Sequence, residues 1–239
     1  MRPRRPVARR LFFLALGLLV AFGLGYEAWT WPRPQSLLRG RPATTAFIER
    51  YRATERALHR DDRVAWIWVS YGQIAPDLKR AVLVAEDANF FSHHGFDFGE
   101  IGKVVDDAMG EGELRRGAST VTQQLVKNLW LSPSRNPVRK VKEAILTWQI
   151  ERALPKRRIF ELYLNVVEFG PGIFGAEAAA RHYFGKSAAA LDPTEAAQLA
   201  ASLPNPRRWH PGVASRVYQT RVDRILRRMA RAEYLGRLI

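Results

Sequence analysis

The sequence predicts a mainly α-helical domain preceded by one apolar helix at its N-terminus. Three observations predict it. From Pro76 onward apolar residues recur at helical spacing almost throughout. Arg63 to Tyr71, "RVAWIWVSY", is the single convincing β-prone stretch. Leu11 to Tyr26, "LFFLALGLLVAFGLGY", is a run of 16 residues without a charge. The chain has 239 residues, 47% of them hydrophobic, which suffices for one good-sized packed domain with a short appendage.

The apolar run follows "RPRRPVARR" at 2–10, which carries five arginines and no acid. As a helix the run spans about 24 Å, slightly short of a ~30 Å hydrocarbon core. Trp29 and Trp31 follow it, where an interfacial aromatic belt belongs. The reading is an uncleaved transmembrane anchor over 11–31, with residues 1–10 as a cytoplasmic basic N-terminus and the remainder outside the cytoplasm. The alternative is a cleaved signal peptide, for which Ala21-Phe22-Gly23 would be the small-residue site, although it lies inside the apolar run. Residues 32–42, "PRPQSLLRGRP", hold three prolines and read as a linker, and 43–239 as the folded domain.

Charge narrows the partners. Lys+Arg is 38 against Asp+Glu 23, a formal +15, which suits an anionic partner. A basic domain tethered outside the cytoplasm meets lipid headgroups and lipid-linked phosphates before any nucleic acid, so no nucleic-acid partner is expected. Cysteine is absent, which excludes disulfides, thiol catalysis and cysteine-ligated metal.

Residues 43–60 read as the first helix of the domain. Pro76 starts the next, in which Leu78, Ala81, Val82 and Ala85 share a face and Glu86 falls at the C-terminal end, an unfavourable place for a carboxylate in the helix dipole. "GEGELRRG" at 110–117 reads as a mobile loop. After it, Thr120 and Gln123 form a capping box. Thr120, Gln123, Gln124, Lys127 and Asn128 then share one arc, opposite Val121, Leu125, Val126, Leu129 and Trp130. An arc with two carboxamides, one ammonium and no acid suits an oxygen-rich ligand; the alternative is a solvated face. A further helix begins at Asn136-Pro137, with Val138, Val141, Ile145 and Trp148 as its expected buried stripe. Arg139 and Lys140 both lie within reach of Glu143, either as a surface ion pair of small value or as a carboxylate held among phosphate-binding cations.

These stretches resemble the monofunctional biosynthetic peptidoglycan glycosyltransferases of glycosyltransferase family 51, the membrane-anchored kind of Gram-negative bacteria. The resemblance rests on "EDANFFSHHG" at 86–95, "GASTVTQQLVKN" at 117–128 and "RKVKEAILTWQIE" at 139–151. "KRRIFELYLNVVEFG" at 156–170, "GAEAAARHYFGK" at 175–186 and "EAAQLAASLPNPRRW" at 195–209 continue it in the family's order. Phe160 departs from it, standing where the family usually has leucine, and implies a packing change only. The resemblance implies a lysozyme-like, two-lobed fold with a membrane-touching smaller lobe, at the periplasmic face of the bacterial inner membrane. It implies polymerisation of lipid II into β-1,4-linked glycan strands, by inverting displacement of undecaprenyl pyrophosphate.

It further implies Glu86 as catalytic base and Glu143 as second essential carboxylate, with phosphate and donor contacts from Ser119, Gln123, Gln124, Lys127, Arg135, Arg139, Lys140 and Lys142. A pyrophosphate leaving group calls for cations, so Glu143 orients Arg139 and Lys140. Phe90, Phe91 and His93 would frame the cleft and fix Glu86, while Asp87 is structural. Adjacent histidines such as His93 and His94 rarely ligate one ion, so no protein-held metal and no required cofactor is expected, although a divalent cation bridging the pyrophosphate is compatible. Lipid II, the growing strand and membrane lipids are the expected partners, and proteins of cell-wall synthesis or division are compatible with them.

Three rivals fit less well. A lysozyme-like lytic glycosidase needs a general acid and water and has no use for Lys127 and the arginines. A penicillin-binding fragment would carry Ser-x-x-Lys and Lys-Thr-Gly, both absent. A membrane-tethered binding module would need neither Glu86 nor the polar arc.

Overall fold

The computed structural model describes residues 5–99, 119–132 and 136–239. The loop expected at 110–117 and the expected site residue Arg135 lie outside these residues. The chain divides into two compact units, Met1–Arg33 and Pro34–Ile239.

The first unit is the helix α1 (Arg5–Trp29). Phe12, Phe13, Leu14, Leu16, Leu18, Leu19 and Phe22 are exposed along it. Among the described residues no helix is long and apolar enough to cross a membrane.

The second unit is helical with one small sheet. Its order is α2 (Ala46–Ala57), β1 (Ala65–Trp66), α3 (Pro76–Glu86), α4 (Val121–Trp130), α5 (Pro137–Ala153), α6 (Lys156–Val166), β2 (Glu168–Gly170), β3 (Ile173–Phe174), α7 (Ala176–Phe184), α8 (Pro193–Ser202) and α9 (Arg216–Arg231). Thr45 caps α2 through its hydroxyl, Pro76 sits in the first turn of α3, and Thr120 with Gln123 forms the expected capping box of α4. Helix α3 is buried on nearly every side: Leu78, Ala81, Val82, Leu83 and Val84 are all at most 3% exposed. It packs against α8 and α9, while α4 packs against α5 and α6. Ala196, Ala197, Ala200 and Ala201 keep the α8 surface shallow, which lets α3 approach closely.

The β-prone stretch at 63–71 contributes only Ala65–Trp66 as strand. It pairs in parallel with β3, and β3 pairs antiparallel with β2 across a bulge, giving the order β1-β3-β2. Strands of two or three residues leave too little alternation to be read from sequence. Asn165 fastens this sheet to α6. Its carboxamide exchanges bonds with both Val69 backbone groups at 2.9 and 3.0 Å, and its carbonyl accepts from Trp66 Nε1 at 2.7 Å. Gly175 closes the turn beside it at φ +82°, and a Cβ there would lie 2.6 Å from the Asn165 carbonyl.

Helix α5 overturns an expectation. Val138, Val141, Ile145 and Trp148, expected to be buried, are 72, 60, 41 and 52% exposed. Glu143, Leu146, Thr147 and Ile150 face inward instead, half a turn away. An apolar stripe shows which face is non-polar and not whether protein covers it. Here the inward face is the one that carries an ion cluster.

Asn165→Ala leaves the Val69 N–H and C=O without their partners. We expect a loss of about 2–4 kcal/mol in chemical denaturation, since each orphaned buried group costs ~1–3 kcal/mol. A loss below about 0.5 kcal/mol would contradict this role.

Candidate active site

Three elements bring a carboxylate, a carboxamide and a guanidinium together. Helix α3 ends at Glu86, whose side chain is 12% exposed. From α4, Gln124 Nε2 donates to Glu86 Oε2 at 2.9 Å, and from α9, Arg221 Nη2 donates to Oε1 at 3.1 Å. The positive partner that a carboxylate at a helix C-terminus requires is therefore Arg221. The sequence reading missed it. Arg221 lies 135 residues away, among Arg216, Arg224, Arg227, Arg228 and Arg231 on the same helix, so no local pattern distinguishes it.

The turn after Glu86 is tied to the start of α4. Asp87 is 8% exposed; its Oδ2 accepts from the Val121 backbone N–H at 2.9 Å, and His93 Nε2 lies 2.9 Å from Oδ1. His93 Nδ1 accepts from the Gly95 N–H at 3.1 Å, so the ring proton sits on Nε2 and points at Asp87. Thr120 Oγ1 donates to the Gly95 carbonyl at 2.7 Å. The expectation that His93 and the two phenylalanines fix Glu86 is corrected here. His93 acts on Asp87. Phe90 is fully buried against Phe91 and Phe160, with the Lys156 ammonium 4.3 Å above its ring. Phe160, the departure from the family pattern, fills the centre of this aromatic cluster, beside Tyr71 and Tyr163.

Asp87, His93 and Asp97 bring possible metal-ligand atoms within 4.8 Å of one another. Their atoms are already engaged: Asp87 by His93 and Val121, His93 Nδ1 by Gly95, and Asp97 by Asn89 Nδ2 at 2.9 Å. The trio serves as a hydrogen-bond hub.

Glu143 is buried completely on the inner face of α5. Arg139 Nη1 lies 2.8 Å from its Oε2, and the Lys140 ammonium bonds Oε1. This is no solvated surface pair. Lys142, half-buried, stands a quarter of a turn away from Glu143. Lys127 lies within electrostatic range of both carboxylates. Burial pushes its ammonium below the ordinary lysine range, Glu143 opposes that shift, Lys140 and Arg139 add to it, and Glu86 opposes it. One ammonium thus senses both carboxylates and both α5 cations.

The remaining expected residues divide by what already occupies them. Thr120 and Gln123, at 4 and 6% exposure, are taken up by the cap: Gln123 Oε1 accepts from the Thr120 N–H at 3.0 Å. Asn128 Nδ2 donates to the Gln124 carbonyl at 2.9 Å, and its buried Oδ1 has no partner. Ser119, half-buried, precedes the cap and offers its carbonyl to Gln124 Nε2 at 3.4 Å. The polar arc of α4 therefore faces protein and the cation cluster, and only Gln124 and Lys127 along it are partly open.

The transglycosylase family model matches residues 53–230. The chain belongs to the transglycosylase family. It is 46% identical over 202 residues to the biosynthetic peptidoglycan transglycosylase of Methylobacillus flagellatus, covering 83% of this chain and 87% of that one. The Thiobacillus denitrificans protein of the same name is 46% identical over 210 residues, covering 88% and 90%. That of Laribacter hongkongensis is 43% identical over 211 residues, covering 88% and 92%. The chain is therefore a glycosyltransferase, and the matched region contains Glu86, Lys127, Glu143 and Arg221.

The Lys127 shift yields a prediction. A lysine depressed by burial is strained while charged, and that penalty persists at every pH below its folded-state titration. It is relieved as pH rises through that titration, where the unfolded chain still holds the proton. Lys127→Met should therefore raise the melting temperature at neutral pH while lowering transglycosylase activity, and its stability advantage should shrink as pH climbs into the lysine range. A variant destabilised at neutral pH would contradict the burial argument.

Proposed function

We propose that this chain polymerises lipid II into β-1,4-linked glycan strands by inverting displacement of undecaprenyl pyrophosphate, with Glu86 as the base. One observation carries the reading: a half-buried carboxylate, oriented at both oxygens, shares the electrostatic surroundings of Lys127 with a buried Glu143 that holds Arg139 and Lys140. Glu86 takes the proton of the acceptor 4-hydroxyl as that oxygen attacks the anomeric carbon. The bond to pyrophosphate breaks on the opposite face, so the α-linked donor becomes a β-linked product. The leaving group gains negative charge as the bond breaks, and the fixed cations Lys127, Arg139 and Lys140 stabilise it. Glu143 holds the two α5 cations in place, and its own burial is tolerable because both bind it. A hydrolase would gain nothing from such a cluster.

The enzyme works, on this reading, at the outer face of the inner membrane. Two features support that placement, each within its own unit. Helix α1 exposes Phe12, Phe13, Leu14, Leu18, Leu19 and Phe22 beyond arginines in its first turns, as a single-pass anchor would. Helix α5 exposes Val138, Val141, Ile145 and Trp148, with Arg152 stacked 5.0 Å from the Trp148 ring, an arrangement suited to a lipid headgroup boundary. That stripe would belong to the membrane-touching part of a two-lobed, lysozyme-like domain.

Glu86→Gln keeps the shape and removes the base, so polymerisation should fall by roughly 10²–10⁴ while lipid II binding survives. Near-normal turnover would remove Glu86 from this role. For the membrane seat, residues 34–239 should still sediment with anionic vesicles. Val141→Ser with Trp148→Ser should weaken that binding by about tenfold or more. Equal binding by the double variant would mean that α5 faces something other than lipid.

A further inference from the structure

We propose that Tyr163 and Gln124 are positioning residues for the Glu86 carboxylate, with Gln124 as the bridge between them and not a ligand of the substrate. The proposal deepens the reading of Glu86 as base and rests on it.

The Gln124 carboxamide is used at both ends. Nε2 donates to Glu86 Oε2 at 2.9 Å and approaches the Ser119 carbonyl at 3.4 Å, while Oε1 accepts from the Tyr163 hydroxyl at 3.0 Å. Both amide hydrogens are thereby spoken for, and one of the two carbonyl lone pairs. A pyrophosphate oxygen needs donors, and Gln124 has none to spare.

Tyr163 decides which way the amide points. The residue is 0% exposed and stacks on Phe160, with ring centroids 6.5 Å apart and an interplanar angle of 19°. Its hydroxyl is out of reach of solvent, so it must satisfy its proton within the protein. Gln124 Oε1 is the acceptor it has. With Oε1 held there, the amide nitrogen faces Glu86. The flipped amide would set carbonyl oxygen against carboxylate, acceptor against acceptor, and would leave the tyrosine facing a donor. A donor chain therefore runs one way, from α6 through α4 to the end of α3. Asn128 Nδ2 on the Gln124 carbonyl steadies the backbone from which the bridge projects.

The consequence is directional. A base must aim a lone pair at the acceptor hydroxyl, and small misplacements lower the rate of the chemical step more than they lower binding. Arg221 holds Oε1 from α9 and Gln124 holds Oε2 from α4, which fixes the rotation of the carboxylate plane. The other charged or titratable groups facing Glu86 are Lys127 from α4, Tyr163 itself from α6 and the adjoining Asp87. Only the Gln124 bond depends on Tyr163. A carboxylate that loses a hydrogen-bond donor holds a proton more readily, so loss of the bridge should move the acid limb of activity to higher pH.

The test is a double-mutant cycle with Tyr163→Phe and Gln124→Leu, read by kcat, KM and the pH dependence of kcat for lipid II polymerisation. Tyr163→Phe removes one oxygen atom and keeps the packing. It should lower kcat by about 3- to 10-fold, the scale of one buried hydrogen bond, leave KM unchanged and raise the acid limb. In the Gln124→Leu background the same substitution should cost nothing further. An unshifted acid limb in Tyr163→Phe, or an equal cost in both backgrounds, would overturn the proposal. So would a Gln124→Leu variant whose main defect is a raised KM. Should Tyr163→Phe not accumulate, Gln124→Asn carries the same pH test, because its amide is one methylene too short to reach both partners. If Glu86→Gln stays active, the reading of the base fails. If Glu86→Gln is inactive while Tyr163→Phe is silent, only the present inference fails.

Discussion

The geometry of this enzyme depends on the Asp87 carboxylate. It is buried, it accepts a hydrogen bond from the first backbone N–H of α4, and it accepts another from His93 Nε2. Those two bonds fix the end of α3, the turn through Gly95 and the start of α4 as one rigid corner. A carboxylate at a helix N-terminus is favoured by the dipole, so Asp87 is stabilised where Glu86, one residue earlier at a helix C-terminus, is not. Two adjacent acids thus have opposite environments. The first is held between Gln124 and Arg221, and the second fixes the corner from which it projects.

Around that corner the site is assembled from helices distant in sequence. Helix α3 supplies Glu86, α4 Gln124 and Lys127, α5 the buried Glu143 with its two cations, α6 Tyr163, and α9 the arginine on Glu86. The Ala-rich face of α8 lets α3 lie deep, so Glu86 emerges from a fully packed helix and does not sway with a loop. Burying Glu143 would be costly alone, and it is matched by Arg139 and Lys140 within the same helix. Lys127 shows the other side of this arrangement: burial disfavours its charge, Arg139 and Lys140 add to that, and the two carboxylates oppose it.

What could be read from the sequence followed the range of the interactions. Local signals were legible: the Thr120–Gln123 capping box, Pro76 at the start of α3, Glu86 at its end, and the Arg139–Lys140–Glu143 spacing. Long-range pairings were not. Arg221 carries no local mark within an arginine-rich helix, and Tyr163 looks like any apolar-face aromatic until its hydroxyl is seen on Gln124. The α5 stripe shows the limit of periodicity most clearly. Val138, Val141, Ile145 and Trp148 have the spacing of a buried face, yet they lie exposed while a glutamate takes the interior. Periodicity locates an apolar face, and the neighbouring helices decide whether protein or another apolar medium covers it.

The central claim is that the Glu86 carboxylate and the Lys127–Arg139–Lys140 cluster act on opposite sides of one sugar carbon. The most direct measurement is to incubate the purified chain with lipid II, quantify the released lipid pyrophosphate and resolve the saccharide products by gel before and after muramidase digestion. The account predicts one pyrophosphate released per bond formed and a ladder of long strands that muramidase collapses. Release of pyrophosphate with free disaccharide-peptide and no polymer would contradict it.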